Sequence, residues 1–174
     1  MKKIKSKKGF TLVEMLACII ALLLLTGICT MGTNMALNSY NRSMFESDSQ
    51  MLESTLDMYL GDILRHSTLE LETQALENGN KKIKNLTNMS YGIYQGMIGV
   101  SDDGRFCVYK TPTDTTGVLL LNENVYTKTL KISDFKLEYN EVGQYVEGSY
   151  TIESTIVEGG AIECDFLYRI ATIY

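Results

Sequence analysis

Between Met15 and Leu25 the chain reads MLACIIALLLL, eleven residues without a polar side chain. Extended to Phe10 and Met31, the apolar stretch reaches the roughly 20 residues that a membrane-spanning helix needs. Five lysines (Lys2, Lys3, Lys5, Lys7, Lys8) precede it with no acid among them. That asymmetry keeps the N-terminus in the cytoplasm and sends the rest of the chain outward. One residue breaks the pattern. Glu14 stands inside the apolar stretch, where a carboxylate costs about 2.5–3.5 kcal/mol on insertion scales. Such a group needs a partner and is read as functional by default; the plain alternative is a helix-end carboxylate reaching the headgroups.

The residues around Glu14 carry a more specific signal. Residues 8 to 16 read Lys-Gly-Phe-Thr-Leu-Val-Glu-Met-Leu. This resembles the type IV prepilin signal, a Gly-Phe-Thr-Leu-x-Glu core after a short basic leader. Gly9, Phe10, Thr11, Leu12 and Glu14 all match. The resemblance implies a pilin or pseudopilin subunit, stored in the cytoplasmic membrane with its head outside and then built into a cell-surface filament. It implies cleavage between Gly9 and Phe10 by a membrane prepilin peptidase, and N-methylation of Phe10. Glu14 is then implied to pair with the Phe10 amine of an adjacent subunit, which offsets the desolvation of both charges and sets the stagger. The implied partners are other pilin subunits through the N-terminal helix, the peptidase and the pilus assembly platform. Cleavage after an ordinary secretory signal near Thr26 to Gly32, or a lipoprotein signal at Cys18, fits less well. Glu14 interrupts the first, and Cys18 comes too early for the second.

The expected domains are a leader at 1–9, a hydrophobic assembly helix at 10–31, its amphipathic continuation at 32–66 and a β-rich head at 67–174. From Asn34 to Arg65 there is no proline and one glycine, Gly61. Phe45, Leu52, Leu56, Tyr59 and Ile63 keep helical spacing, flanked by Met44, Met51 and Met58. A single helix of about 55 residues would extend about 80 Å. Ser67 to Asn88 is expected to hold a short helix, Leu69 to Leu76, and a loop at Asn78-Gly79-Asn80. From Tyr91 onward strand signals dominate, with turns at Ser101–Gly104, after Leu121 and at Asn140–Gly143. Ile162, Cys164, Phe166, Tyr168, Ile170 and Tyr174 share one face of a last strand. The fold class is α+β: a long N-terminal helix on an antiparallel sheet of four to six strands.

Removing the lysine leader moves the formal net charge from −5 to about −10. An acidic chain does not suit direct nucleic-acid contact, which needs clustered Lys and Arg. No enzyme is expected. His66 is the only histidine, Asp102-Asp103 reads as a hydrated turn, and no phosphate loop or nucleophile elbow occurs. No cofactor or metal is expected. Cys107 and Cys164 are the candidate disulfide pair, with two free buried thiols as the alternative. The absence of a middle proline in the apolar half, and of a clear paired-Cys loop at the C-terminus, leans toward a minor pilin. The alternative is an anchored extracellular binding domain that never polymerises.

Overall fold

The computed structural model describes residues 11–76, 78–127, 129–170 and, as backbone, 172–173. The chain divides into two compact units, Met1–Tyr40 and Asn41–Tyr174. Helix α1, Leu12–Arg65, contributes to both. It runs 54 residues because nothing stops it: no proline interrupts it, and neither Gly27 nor Gly32 breaks it.

In the second unit α1 buries one stripe. Leu52, Leu56, Leu60, Ile63 and Leu64 are fully buried and Phe45 nearly so, following the i, i+4, i+7 rhythm of one helical face. The facing core comes from strands: Leu69, Leu86, Ile93, Phe106, Val146, Tyr150, Ile152 and Phe166. Gly61 allows close approach, since a Cβ there would sit 3.0 Å from the Tyr168 ring. Arg65 covers the same ring, its guanidinium carbon 5.3 Å from the centroid. Ser49 shares the buried stripe, and its hydroxyl has no hydrogen-bond partner among the described residues. Ser49→Ala removes an unpaired buried hydroxyl and adds helix propensity. It is expected to raise stability by about 1 kcal/mol, read as a higher unfolding midpoint in detergent.

The strands are β1 Thr68–Ala75, β2 Lys81–Asn88, β3 Ile93–Val100, β4 Phe106–Tyr109, β5 Val118–Leu119, β6 Leu130–Asn140, β7 Tyr145–Ser154, β8 Ala161–Arg169 and β9 Thr172–Ile173. Their order is β5-β4-β3-β2-β6-β7-β8, with β1 on β2 and β9 on β1. All pairings are antiparallel except β1 with β9. Both β6 and β3 pair with β2: Lys81 and Lys82 pair with Tyr139 and Glu138, whereas Leu86 and Asn88 pair with Gly96 and Ile93. Consecutive β8 and β9 lie at opposite ends of the path β8-β7-β6-β2-β1-β9. Laid flat, those ends would be about 24 Å apart, yet the three residue steps from Arg169 to Thr172 span at most about 11 Å. The sheet therefore curls, and the buried stripe of α1 packs into the core it encloses.

Three expectations need correction. Residues Leu69 to Leu76 are not a helix: Leu69 and Leu71 point inward at a spacing of two, and β1 pairs with β2 across the Asn78-Gly79 turn. Gly79 takes φ +83° there, a conformation that glycine adopts freely. Among the described residues the sheet has nine strands rather than four to six. The last run divides into β8 and β9. The turns at Ser101–Gly104 and Asn140–Gly143 lie where the sequence places them.

The helix end is closed by side chains. Ser67 Oγ donates to the Ile63 carbonyl at 2.6 Å. The Asn88 amide donates to the same carbonyl at 3.1 Å and to Ser67 Oγ at 3.3 Å. Asn88 Oδ1 accepts from the backbone N–H groups of Ser90 and Tyr91 at 3.1 and 3.3 Å, capping a short 3-10 turn.

Candidate processing and assembly site

Gly9 and Phe10 lie outside the described residues, so the site is described from Thr11 inward. Thr11 precedes the first helical residue, and Glu14 is the third residue of the helix. Thr11 N–H donates to Glu14 Oε2 at 2.8 Å, and Thr11 Oγ1 donates to the same oxygen at 2.9 Å. In return Glu14 N–H donates to Thr11 Oγ1 at 3.3 Å. This is a reciprocal capping box, which satisfies two of the orphan donors at a helix N-terminus. The carboxylate also sits at the positive end of the helix dipole. The signal was available in the sequence as Thr-x-x-Glu ahead of an apolar run, and reading Glu14 only as a charge in search of a cation passed over it.

Beyond the cap, Leu12 to Met35 presents apolar side chains on every side of the helix, and each of its described residues is exposed. By length and composition it is long and apolar enough to cross a membrane, and none of its described residues is buried. The hydroxyls inside this stretch are satisfied locally. Thr26 donates to the carbonyl of Leu22 at 2.9 Å, Thr30 to Thr26 at 2.8 Å and Thr33 to Cys29 at 2.9 Å. Such back-bonding lets a threonine sit in hydrocarbon without an unpaired donor.

The other candidate residues are not brought to this end. Cys107 and Cys164 are buried free thiols on β4 and β8, not a disulfide. The alternation of strand side chains explains it. Phe106 packs edge-on to Tyr150, whose register partner is Cys164, so Phe106 and Cys164 share the core face. Cys107, one residue on, points to the opposite face. Burial pushes the Cys164 thiol up to about 11, so it is a weak nucleophile at neutral pH. His66 is exposed at the end of α1, 3.3 Å from the Asp62 carboxylate. Tyr91 donates to the same carboxylate at 2.5 Å, which raises the phenol to about 12. Asp102 and Asp103 are exposed in the β3–β4 turn. Among the described residues no group of three or more His, Cys, Asp or Glu side chains converges as metal ligands.

Residues 4–30 match the family described as the prokaryotic N-terminal methylation motif, the type IV prepilin-type signal. No curated protein and no solved structure matches the chain. The motif and the apolar helix together support a type IV pilin-like subunit anchored in a membrane.

Proposed function

We propose that the chain is a minor pilin of a type IV pilus or related pseudopilus. It is held in the membrane by residues 10–31, cut by prepilin peptidase between Gly9 and Phe10, methylated on Phe10 and assembled through its N-terminal helix. The observation that carries this reading is the contrast within α1. The helix buries its Phe45–Leu64 stripe in its own core, whereas the described residues of the apolar stretch before it are exposed. Apolar surface of that extent is covered by lipid or by other subunits. A prepilin-type signal at the head of that helix favours subunits as the final cover. Glu14 would exchange part of its cap for the Phe10 amine of a neighbouring subunit, and that pairing would fix the stagger. The minor role is favoured by the free thiols of Cys107 and Cys164 and by a first half without proline.

Mass spectrometry of the protein from cell envelopes and sheared filaments tests the reading. The expected N-terminus is methylated Phe10. A chain that keeps Met1 and its lysines, or that begins after Thr26, would overturn it. A methylated chain that stays in the membrane and never enters filaments would favour the anchored binding domain.

A further inference from the structure

On the outer face of α1, opposite the buried stripe, lie three methionines that the core does not use. Met44, Met51 and Met58 are 49%, 56% and 63% exposed. They recur every seven residues, a step that drifts only about 20° around a straight helix, so they form one line about 21 Å long. Ser47 and Ser54 fall between them at the same step and leave small gaps between the long side chains. A seven-residue seam with alternating large and small residues is the pattern by which one helix receives another.

The occupant follows from charge. Asp48 lies beside the seam, four residues after Met44 and three before Met51, and the second unit's share of α1 also carries Glu46, Glu53, Asp57 and Asp62 against Arg42 and Arg65. Two copies meeting seam to seam would bring carboxylates together. The stretch from Met15 to Asn41 contains no Asp, Glu, Lys or Arg, and its apolar side chains are exposed. A second copy's uncharged stretch therefore fits the methionine seam, in a staggered, head-to-tail arrangement.

Methionine adds a property that leucine would not. An exterior thioether reacts with a peroxide-class oxidant: the sulfur takes one oxygen atom, the O–O bond breaks, and water leaves when the oxidant is hydrogen peroxide. The sulfoxide is polar and chiral, and it no longer suits an apolar seam. We propose that Met44, Met51 and Met58 form an oxidation-sensitive seam through which peroxide controls packing of this chain against a second copy. The inference rests on the filament reading given above and adds a regulatory contact to it.

Cells carrying the full chain are exposed to hydrogen peroxide before filament growth, and filament incorporation and methionine oxidation are followed by mass spectrometry. Untreated wild-type cells report on the filament reading itself: no incorporation there means that the reading has failed, independently of the seam. Given incorporation, oxidation of Met44, Met51 and Met58 is expected to be strong in the membrane pool and weak in filaments. Met89, 70% exposed on the 3-10 turn, should oxidise in both. Peroxide should cut incorporation about tenfold or more in the wild type, and the triple Met→Leu variant should resist it because leucine keeps the volume. A Met89→Leu variant should remain as sensitive as the wild type. Equal oxidation of the three methionines in membrane and filament would overturn the proposal. So would equal peroxide sensitivity of the triple variant and the wild type.

Discussion

Replacing Asn88 with leucine is expected to lower the stability of the sheet-bearing unit by about 2–4 kcal/mol, read as a large fall in its unfolding midpoint. Asn88 is 1% exposed, and its one amide serves two elements. Its nitrogen ties the last turn of α1 to the end of β2 through Ile63 and Ser67. Its oxygen holds the N–H groups of Ser90 and Tyr91, from which β3 departs. Leucine keeps the number and branching of heavy atoms but leaves those two donors without their acceptor. Ser67 still bonds to Ile63, so the helix end keeps one closure and the loss falls mainly on the turn. Hydrogen exchange separates the two contributions: the Ser90 and Tyr91 amides should exchange faster out of proportion to the global change. A variant as stable as wild type would mean that water replaces Asn88, and that the network is incidental.

Asn88 also illustrates what the sequence leaves hidden. The helical stripe of Phe45, Leu52, Leu56 and Ile63 was legible because its spacing is local, as were the hairpins at Ser101–Gly104 and Asn140–Gly143. The β1–β2 hairpin was not. Leu69, Leu71 and Leu76 among glutamates satisfy helical and strand spacing about equally well, and the choice is made by pairing with Ile83 and Leu86. The end of β8 at Arg169 and the parallel pairing of β9 depend on the curl of the whole sheet, a non-local property. The choice between a Cys107–Cys164 disulfide and two free thiols has the same non-local origin. Whether Cys107 and Cys164 face each other depends on which face of each strand is inward, and spacing along the chain does not give that. At the N-terminus the motif was fully legible, and what went unread was the intrahelical use of Glu14.

The proposed pairing of Glu14 with a neighbouring subunit's amine, beside its observed use as a cap, yields the second large expected effect. As a cap, the side chain needs an acceptor oxygen; as the mate of an N-terminal amine, it needs a negative charge. Glu14→Gln keeps the first and removes the second. Thr11→Val does the reverse: it deletes the cap hydroxyl and leaves the carboxylate in place. The cap contributes about 0.5–2 kcal/mol at most, whereas breaking a desolvated ion pair costs about 3–5 kcal/mol. Glu14→Gln is therefore expected to reduce filament incorporation about tenfold or more, matching Glu14→Leu, while Thr11→Val stays near wild type. Cleavage after Gly9 should persist in all three. Membrane levels should not fall in the two Glu14 variants, because each lacks the carboxylate that is costly to insert. The readout is the ratio of filament-bound to membrane-bound mature chain. If Gln supports full incorporation and Val does not, the carboxylate acts only on its own helix. The stagger between subunits would then have to come from apolar packing alone.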